Sequence, residues 1–566
     1  MLFYDFEVFT HDWLVVIIDA DKKKEHVFVN DEQSLIEFYN QHKNDIWVGY
    51  NSRHYDQYIL KAIIAGFPPQ EINDWIINQK RLGWEFYEGF WKIKLYNFDI
   101  MTDRNRSLKQ LEGFMGHDIR ETTISFDTDR KLTNEEIQEV IKYCRHDVQE
   151  TMHIFAENIH EFTSHLELLK MFKLPMRYIS KTKAQLSAII LEAEQPRFER
   201  KDEFNLSFPP TLRINKYTHV LEFYEQVRYA KNPYDEFLET DIAGVPHIFA
   251  WGGIHGARRN YYGEGDYLLI DVASYYPALM IEYGYLSRNV RDPKKFKEIR
   301  DRRLKYKAKK DKREAPLKIV INGTYGAMKD KYNGLYDPLM ANNVCVGGQL
   351  LLLDLIEKLE PHVTLIQSNT DGLLIKLHNY DDYYLVDDIC YEWEQRTKMK
   401  LEFEEYVKVI QKDVNNYILV DADGNYTSKG AYVKKLNPLD NDLPIVNRAV
   451  VNYLVHGIEP EETIFNSDKL IDFQKIVRIS NKYEYAIYNG KRMNESVFRV
   501  FASVDKNDGE LQKVRDGSAS KIAFTPDRCF IDNSDVTNKK VPDKLDYWWY
   551  LDLAKKRIND FLGYEE

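Results

Sequence analysis

The sequence predicts a chain of several domains with α/β and α+β architecture. Its 566 residues exceed the length of most single domains and leave room for more than one hydrophobic core. Two distant regions, near residues 1–150 and 265–375, each combine short apolar strands with helical patterns. In both regions acidic residues lie on a strand or at its end, which predicts two separate polar sites.

The first strand carries two acidic residues. In Tyr4-Asp5-Phe6-Glu7-Val8 apolar and acidic residues alternate, so Asp5 and Glu7 project from one face and can share a metal ion. An alternating acid pair is also ordinary on a strand that faces solvent. The pair therefore indicates a metal site only together with other residues.

Two later segments add polar residues to this region. A strand that ends near residue 50 leads into a turn that contains Asn51, Tyr55 and Asp56. A helix over 135–155 then presents Tyr143 and Asp147 one turn apart on one face. Each segment alone is a weak signal.

Residues 160–265 are interpreted as mixed helix and loop, because several prolines interrupt the segment. Its main feature is the pair Gly252-Gly253, since adjacent glycines permit a close approach of the backbone to a ligand. A plain hairpin turn explains the same pair equally well.

A second acidic constellation lies on two strands a hundred residues apart. One apolar strand ends at Asp271 and the other passes through Asp371. A lone Asp after an apolar run is more often a helix cap or turn former. Two such strands, however, can bring their carboxylates together over one sheet. Carboxylate oxygens suit Mg²⁺, and two Mg²⁺ ions about 3.5–4 Å apart suit in-line phosphoryl transfer.

Between these strands a predicted helix carries Lys318, Asn322 and Tyr325 at i, i+4 and i+7, which places them on one face. A Lys can neutralise a polyphosphate, a Tyr can stack on a base, and Gly326 permits a close backbone approach. Alone, the segment is equally an amphipathic helix with a solvated Lys and a core Tyr.

Charge is distributed unevenly along the chain. The formal net charge is −12, which argues against a protein that simply coats nucleic acid. From Arg288 to Lys318, however, fifteen Lys or Arg face five Asp or Glu. This run is either a solvated helical face or the lining of a triphosphate or template channel. The spacing does not choose among Arg300, Arg303, Lys305 and Lys307.

The carboxy-terminal third begins with a predicted hairpin. Its strands are predicted over 413–420 and 427–435, joined by the turn 421–425, and the second contains Lys429 and Tyr432. Beyond residue 438 the pattern is helical, then strand-like over 483–504, and it ends in an aromatic helix over 544–562. Motifs beyond residue 438 indicate no function.

The four cysteines, Cys144, Cys345, Cys390 and Cys529, form no CxxC pair, which excludes a sequence-evident zinc or iron–sulfur module and fits a reducing compartment. The chain starts at once with a strand, and no uninterrupted apolar run reaches about 18 residues. We therefore expect a soluble intracellular protein with no membrane contact.

The segments around Asp271, Lys318 and Asp371, in this order, resemble motifs A, B and C of family B DNA polymerases. Motif A, DxxSLYP, matches Asp271–Pro277 with Tyr275 in place of Leu. Motif B, KxxxNSxYG, matches Lys318–Gly326 with Gly323 in place of Ser. In motif C, YxDTDS, the pair Thr370-Asp371 is retained, and the other positions hold Gln367, Asn369 and Gly372.

The amino-terminal segments resemble the family's three exonuclease motifs, DxE, Nx(2–3)(F/Y)D and YxxxD. The resemblance implies an RNase H-like 3′–5′ exonuclease domain, in which Tyr143 orients the attacking water. The implied metal ligands are Asp5, Glu7, Asp56 and Asp147. The implied contacts to the single-stranded primer end are Asn51, Tyr55, Ser107 and Leu108. The Lys that some phage members place between the second and third motifs has no clear counterpart here. Arg120 and Glu121 lie in this interval, and the role of the Lys stays open.

For the polymerase half the resemblance implies a right-hand arrangement of palm, fingers and thumb. Asp271, Asp371 and the Val272 backbone would hold two Mg²⁺ ions, with Mn²⁺ as a substitute, and two ions would also bind at the exonuclease site. Tyr276 would exclude a ribose 2′-hydroxyl, and Lys318 would stabilise the transition-state charge. Further nucleotide contacts would come from Ser274, Tyr275, Asn322, Tyr325 and Gly326. DNA contacts would come from Gly252, Gly253, Lys429 and Tyr432.

The resemblance also implies an organisation and a function. We expect an exonuclease domain (1–165), a linker with the first part of the palm (166–290), fingers (291–334), the second part of the palm (335–435), and a thumb with the carboxy-terminal region (436–566). The expected function is template-directed extension of a DNA primer with dNTPs, and proofreading, in bacteriophage-type replication. The expected partners are primer–template DNA, dNTPs and a single-strand-binding protein or helicase. We expect a monomer in the cytoplasm of a bacterial host.

Two alternatives remain open. A protein-primed or primer-independent polymerase is disfavoured because the intervals between the motifs are too short for the insertions of protein-primed phage members. A 3′–5′ exonuclease with a degenerate polymerase half is favoured by Asn369 and Gly372, and disfavoured by the intact Asp271, Tyr276, Lys318 and Asp371.

Overall fold

The computed structural model describes residues 1–101 and 106–564. The chain forms two compact units. The first unit comprises Met1–Ser180, Leu436–Val446 and Glu461–Leu553. The second comprises Lys181–Lys435, Asn447–Pro460 and Ala554–Glu566. The first unit therefore combines the amino-terminal part of the sequence with segments from its last third.

The amino-terminal part of the first unit is a five-stranded mixed sheet with helices. Its strands are β1 (Leu2–Val8), β2 (Trp13–Asp19), β3 (Lys24–Val29), β4 (Ile46–Gly49) and β5 (Tyr96–Asp99). Its helices are α1 (Glu32–His42), α2 (Asp56–Ile64), α3 (Pro69–Asn73), α4 (Leu108–Met115), α5 (Asn134–Glu157) and α6 (Ile159–Met171). The strand order is β3-β2-β1-β4-β5, in which β1 runs antiparallel to β2 and parallel to β4.

Strand β1 lies at the centre of this sheet and is buried on both faces. Leu2, Tyr4 and Phe6 belong to a core cluster that also contains Trp47 of β4. Because side chains alternate along a strand, Asp5 and Glu7 project from the opposite face, as the sequence predicted. That face is covered by α5, whose Cys144 thiol contacts the Asp5 carbonyl oxygen over 3.2 Å.

Helix α5 confirms the predicted helix and extends it by one or two residues at each end. It begins after Thr133, whose hydroxyl accepts a hydrogen bond from the Glu136 amide, while the Glu136 carboxylate accepts one from the Thr133 amide. This reciprocal cap satisfies two amides that have no partner within the helix.

The second unit is built on one antiparallel sheet of nine strands in the order β14-β13-β12-β9-β11-β10-β8-β7-β6. The strands are β6 (Leu238–Ile242), β7 (Val245–Phe249), β8 (His255–Ala257), β9 (Tyr261–Val272), β10 (Val363–Ser368), β11 (Gly372–Leu377), β12 (Leu401–Asp413), β13 (Asn416–Val420) and β14 (Tyr426–Lys429). The helices are α7 (Lys183–Ile190), α8 (Thr218–Gln226), α9 (Tyr275–Glu282), α10 (Pro293–Ala308), α11 (Glu314–Lys329), α12 (Pro338–Leu359) and α13 (Asp382–Thr397).

The prediction of helix and loop over 160–265 is wrong for its last part, which contains β6, β7 and β8. Strands β6 and β7 form a hairpin around Ala243 and Gly244, both of which have positive φ. Val245, His247 and Phe249 of β7 are buried whereas Pro246 and Ile248 are exposed, so the sequence shows no apolar alternation that would have predicted this strand.

The predicted hairpin after residue 413 is confirmed in its turn and shorter in its strands. The Asp421 amide donates to the Asn425 carbonyl oxygen across the turn. Strand β14 ends at Lys429 because Gly430 adopts φ +114°, and a Cβ at this position would lie 2.3 Å from Asn416 Oδ1. Tyr432 therefore lies beyond the strand, not within it.

Helix α12 is long, apolar and almost entirely buried. It begins at Pro338, whose fixed φ suits the first turn of a helix. Among the described residues it is the one helix long and apolar enough, by length and composition, to cross a membrane. Its most apolar stretch is 94% buried inside the protein, as in the core helix of a folded domain.

The remaining elements are α14 (Pro444–His456), α15 (Pro460–Phe465), β15 (Lys475–Arg478), β16 (Tyr485–Tyr488), β17 (Lys491–Met493), β18 (Val497–Ala502), β19 (Leu511–Arg515), β20 (Ser518–Lys521), β21 (Cys529–Ile531) and α16 (Tyr547–Leu562). The strands form two small sheets, β15-β18-β21 and β17-β16-β19-β20. Arg499 of β18 is fully buried and donates to the carbonyl oxygens of Gly113 (3.2 Å) and His117 (2.7 Å). This contact ties the carboxy-terminal sheets to α4 within the first unit.

Candidate active sites

In the second unit, Asp271 and Asp371 lie side by side at the ends of neighbouring strands. Asp271 of β9 is paired with Gly372 of β11, and the Val272 amide donates to the Asp371 carbonyl oxygen over 2.7 Å. A Cβ on residue 372 would lie 1.8 Å from Asp271 Oδ1. Gly372 therefore leaves the space that the Asp271 carboxylate occupies, which explains why Ser is absent here.

The electrostatics of this site show several carboxylates close together. Burial, and after it the negative charges of Asp371, Glu404 and Glu402, together raise the pKa of Asp271 to about 7. Glu402 of β12 is directly opposite Asp271 in the strand register. Sequence analysis missed both glutamates. Their signal was the alternation in Leu401-Glu402-Phe403-Glu404, the same pattern that drew attention to β1.

Asn369, which replaces a motif C Asp, stabilises the turn before β11. The side-chain oxygen of Asn369 accepts a hydrogen bond from the Thr370 backbone amide over 2.9 Å. The backbone amide of Asn369 donates to the Gly372 carbonyl oxygen over 2.8 Å. The side chain thus contributes to the geometry of the turn that carries Asp371.

Arg303 is the basic residue of the charged run that reaches motif A. It is 8% exposed, and its guanidinium donates to Ser274 Oγ over 3.0 Å and to Glu314 over 2.8 Å. Ser274 has left-handed backbone angles, φ 51° and ψ 51°, just before α9. Lys307 also connects the charged run to this site, because its Nζ lies 3.3 Å from the Glu402 carboxylate. The structure therefore distinguishes Arg303 and Lys307 from Arg300, which pairs with Asp301.

Helix α11 confirms the predicted face. Lys318, Asn322 and Gly326 are exposed along one side, whereas the opposite side is buried. Tyr325, at the edge of the exposed side, lies with its ring centroid 4.5 Å from that of Tyr276 on α9. Motifs A and B are thus in direct contact.

Tyr275 is placed differently from the other predicted nucleotide contacts. Its side chain is 3% exposed, and its hydroxyl donates to the Gly348 carbonyl oxygen of α12 over 2.6 Å. The ring therefore serves the core, because it is already enclosed and its polar atom is satisfied. It is not available to a nucleotide.

The glycine pair lies against the turn that carries Asp371. A Cβ on Gly253 would lie 2.4 Å from Thr370 Oγ1 and 2.8 Å from the Thr370 Cα atom, whereas a Cβ on Gly252 would meet nothing within 4 Å. The Gly252 carbonyl oxygen accepts from Gln349 Nε2 over 2.8 Å. Gly253 thus permits a close approach to this turn.

The residues of the predicted hairpin motif lie at the far edge of the same sheet. Lys429, the last residue of β14, is exposed and pairs with Tyr417 in the strand register. The Tyr432 ring lies beneath two cations, with Arg557 4.7 Å and Lys412 5.5 Å from its centroid.

In the first unit, the four predicted exonuclease carboxylates converge around β1. The Phe6 amide donates to Asp56 Oδ1 over 3.0 Å, which fixes Asp56 beside the strand that carries Asp5 and Glu7. Burial raises the pKa of Asp5 well above its usual value, and the charges of Asp56, Glu7 and Asp147 add to this effect. All four carboxylates therefore act on one another.

Lys109 enters this cluster and was missed from the sequence. Its ammonium group donates to Asp147 and, over 3.0 Å, to Glu112, and it is 9% exposed. It also lies 4.6 Å from the centroid of the Tyr143 ring. The signal was the Lys inside Ser107-Leu108-Lys109-Gln110-Leu111, one position away from the two residues singled out there. Arg120 and Glu121 bond elsewhere, to Asp118 and to Ser496.

The pKa values of Asp147 and Asp56 are raised by burial and lowered by a neighbouring charge or hydrogen bond. Burial raises the pKa of Asp147 to about 6, and the positive charge of Lys109 opposes this rise. Burial raises the pKa of Asp56 to about 7, opposed by the Phe6 amide. Burial also raises the pKa of Tyr143 above its ordinary value, so its hydroxyl keeps its proton and can donate or accept a hydrogen bond.

The residues predicted to contact a primer end include two, Ser107 and Tyr55, whose side chains form hydrogen bonds within the protein. Ser107 caps α4, where its hydroxyl accepts from the Gln110 amide. The Tyr55 hydroxyl donates to Asn73 Oδ1 over 2.6 Å. Asn51 occupies a turn with φ 59°, and Leu108 is half-buried at the start of α4.

Both carboxylate groups fit divalent cations. Their donors are carboxylate oxygens, which Mg²⁺ prefers. Several carboxylates have raised pKa values because they are buried beside one another, and a cation would relieve that repulsion. Asp271, Asp371 and the Val272 backbone would hold ions in one site, and Asp5, Glu7, Asp56 and Asp147 in the other.

These features define a chain of two units that mix helices and strands, each with a carboxylate cluster suited to phosphoryl-group chemistry. The cluster of the first unit is mostly buried, whereas Asp271 is half-buried and Asp371 exposed in the second. No protein-family model matches the sequence. A stretch of 191 residues, 33% of this chain, is 27% identical to DNA polymerase 1 of Saccharolobus solfataricus and spans 20% of that protein. The chain thus matches about a fifth of the length of this relative.

Among solved structures, the family B DNA polymerase of the hyperthermophilic archaeon Pyrobaculum calidifontis aligns with a TM-score of 0.43 and 15% sequence identity. The alignment covers 100% of this chain and 78% of that one.

Proposed function

We propose that this chain is a family B DNA-directed DNA polymerase that extends a primer 3′-hydroxyl with dNTPs and proofreads with a 3′–5′ exonuclease. The observation that carries the proposal is the junction of Asp271 and Asp371 on adjoining strands, with Tyr276 and Tyr325 in contact beside it. The similarity of 191 residues to a protein named a DNA polymerase supports the same function.

In the polymerase site each residue has a distinct task. Asp271, Asp371 and the Val272 carbonyl oxygen would hold divalent ions, which would supply Lewis-acid activation of the 3′-hydroxyl and charge stabilisation at the phosphates. Lys318, exposed on α11, adds positive charge where the triphosphate would lie. Arg303 fixes the turn at Ser274 through its hydrogen bond, so it positions motif A.

Base selection comes from pairing geometry, so the protein needs to read only shape and backbone. Tyr276 would contact the sugar and exclude a 2′-hydroxyl. Asn322, Tyr325 and Gly326 would line the nascent base pair from the exposed side of α11.

In the exonuclease site, Asp5, Glu7, Asp56 and Asp147 would hold the ions, and Tyr143 would orient the attacking water. Lys109 bonds directly to Asp147, so it keeps this carboxylate ionised and adds positive charge near the scissile phosphate. This lysine takes the role that sequence analysis left open.

The finer attributes belong to the same proposal. The intervals between the motifs contain α9 and α10 on one side and α12 with β10 on the other, which supports a compact phage-type enzyme that uses a DNA primer. The proposed setting is replication in a bacterial cytoplasm, by a monomer that works with primer–template DNA, dNTPs and a single-strand-binding protein or helicase.

The test is a primer-extension gel. A 5′-labelled primer on a longer template is incubated with Mg²⁺, with and without the four dNTPs, for wild type, Asp371→Ala, Asp5→Ala and the exposed-turn control Asp423→Asn. We expect extension with dNTPs and shortening without them. Asp371→Ala should lose only extension, Asp5→Ala only shortening, and the control neither.

One alternative is an exonuclease with an inactive polymerase half. Asn369 favours it, because a motif C carboxylate is missing, while Glu402 and Glu404 beside Asp271 oppose it. Shortening under both conditions, with Asp371→Ala indistinguishable from wild type, would establish this alternative. The other alternative is a protein-primed or primer-independent polymerase. Extension only from a protein hydroxyl, or without any primer, would establish it.

A further inference from the structure

A group of metal-ligating side chains lies in the first unit outside both carboxylate sites. It consists of His117, in the loop after α4, and Glu150 and His153 of α5. One donor atom from each residue lies within 4.8 Å of the other two. Glu150 and His153 are three positions apart on α5, so both face the same side of the helix.

The donor set has a clear chemical preference. Two imidazole nitrogens and one carboxylate oxygen form a set typical of zinc and related divalent transition metals, and differ from the all-oxygen sets that suit Mg²⁺. Because three protein ligands leave a tetrahedral ion one position short, a water or a further oxygen must complete the site. The group lines an open cleft of about 500 Å³ that is also lined by Asp535.

An ordinary ion pair accounts for only part of this arrangement. His117 Nδ1 and Glu150 Oε2 are 2.7 Å apart, and Glu150 is 5% exposed, which a hydrogen-bonded pair explains. The pair does not explain His153, an exposed residue whose ring centroid lies 5.0 Å from that of His117 at 67°. A ring nitrogen of His153 nevertheless lies within 4.8 Å of the donor atoms of the other two residues.

The place of the group in the fold gives such a metal a structural task. The loop that carries His117 also supports the carboxy-terminal sheets, because the His117 carbonyl oxygen accepts from Arg499 over 2.7 Å and the Gly116 carbonyl oxygen accepts from the Val536 amide over 2.8 Å. An ion shared by the loop and α5 would fix this support to the long helix that also carries Asp147.

We propose that His117, Glu150 and His153 bind a divalent transition metal, with Zn²⁺ as the best fit, at a structural site separate from the two carboxylate sites. The ion fastens the loop 116–119, and through it the carboxy-terminal sheets, to α5. The site does not depend on the proposed polymerase function, because none of its ligands belongs to either carboxylate group.

The test measures binding of Zn²⁺ alone to the full chain in excess Mg²⁺, by calorimetry against a competing chelator, together with thermal unfolding. The variants are His153→Ala and, as a matched control, His160→Ala, an exposed histidine of the neighbouring α6. Because His153 is exposed, its replacement should leave the metal-free melting temperature unchanged. Co²⁺ absorption provides an independent signature of nitrogen and oxygen ligands.

We expect wild type and His160→Ala to bind one more Zn²⁺ than His153→Ala, or to bind it more than about tenfold more tightly. At a hundredfold excess over Kd, Zn²⁺ should raise their melting temperature by about 5 °C relative to that variant. Equal Zn²⁺ stoichiometry, affinity and melting shift in His153→Ala and wild type would overturn the proposal. Equal losses in both histidine variants would overturn it as well, because binding would then be non-specific.

Discussion

The ring centroids of Tyr276 and Tyr325 lie 4.5 Å apart at an interplanar angle of 58°. Tyr276 belongs to the first turn of α9, five residues after Asp271, and Tyr325 to α11. Burial raises the pKa of the Tyr276 hydroxyl above its ordinary value, so the ring is neutral at physiological pH. A neutral two-ring wall beside the carboxylates is suited to a sugar and a base and unsuited to additional polar groups.

The first prediction concerns selection of the sugar. Replacing Tyr276 by Ala removes the ring that would occupy the space of a 2′-hydroxyl. We expect the ratio of kcat/KM for a ribonucleotide to that for the matching deoxynucleotide to rise at least tenfold, which corresponds to about 1.4 kcal/mol. Single-nucleotide insertion kinetics on a primer–template measure this ratio.

Tyr276→Phe is the matched control, because it retains the ring and removes only the hydroxyl. It should keep the sugar selectivity of the wild type. Equal selectivity in the Ala variant and the wild type would contradict the assignment of Tyr276.

Local pattern predicted a large part of the fold around the two sites. The alternation in β1 predicted the shared face of Asp5 and Glu7, and the periodicity of α11 predicted the exposed face of Lys318 and Asn322. These features depend on a side-chain period of 2 or 3.6 that is visible in the sequence. The junction of Asp271 with Asp371 was likewise predicted, because each belongs to an apolar strand segment that can share one sheet.

Features that depend on long-range packing were not predictable. Nothing local indicates that Arg499 is buried against the carbonyl oxygens of Gly113 and His117, so the return of the carboxy-terminal sheets to the first unit was missed. Lys109 was missed for a related reason. A lysine near the start of a helix is ordinarily exposed, and only the surrounding carboxylates make its burial favourable.

The second prediction concerns Lys109. Lys109→Met removes the positive charge beside Asp147 while preserving much of the side-chain volume. We expect the rate of 3′–5′ shortening of a labelled single strand to fall about a hundredfold. Because buried carboxylates would lose their partner, the first unit should also lose about 3 kcal/mol of stability without metal.

Lys109→Arg separates these two effects. It keeps the charge, so it should restore most of the metal-free stability and part of the shortening rate. Primer extension, which uses the second unit, should be retained in both variants. Full shortening activity in Lys109→Met would show that the ion pair is structural only.

The third prediction uses the contact between Gly253 and the turn that carries Asp371. In Gly253→Ala the new methyl group would lie 2.4 Å from Thr370 Oγ1 and 2.8 Å from its Cα atom, so the turn must shift. Such overpacking costs about 1–3 kcal/mol. We expect primer extension to fall at least tenfold and shortening to persist.

Gly252→Ala is the neighbouring control, since a Cβ there meets nothing within 4 Å. It should extend a primer at the rate of the wild type. If both variants lost extension equally, the loss would come from reduced backbone freedom of the glycine pair, and the close approach to Thr370 would not be its cause.

The fourth prediction is a pH dependence of stability set by His247 of β7. The imidazole is 1% exposed, its Nδ1 donates to the Val245 carbonyl oxygen over 2.8 Å, and its Nε2 accepts from Ser368 Oγ over 2.6 Å. The Val245 carbonyl oxygen can only accept, so Nδ1 carries a proton, and in the neutral ring Nε2 accepts from the Ser368 hydroxyl. Burial lowers the pKa of His247 to about 4, from about 6.5 in an unfolded chain.

A histidine with a lowered pKa binds its proton more weakly in the folded state, so its contribution to stability is complete above about pH 6.5 and is lost as the pH falls towards 4. Linkage gives a loss of about 2 kcal/mol between pH 7 and pH 5. His247→Gln keeps one donor and one acceptor but does not titrate. In urea unfolding it should lose less stability than the wild type over this interval, whereas the exposed His160→Gln should follow the wild type. An equal loss of stability in His247→Gln and wild type would mean that other groups govern the acid sensitivity. Ser368, three residues before Asp371, would then be held independently of the charge on His247.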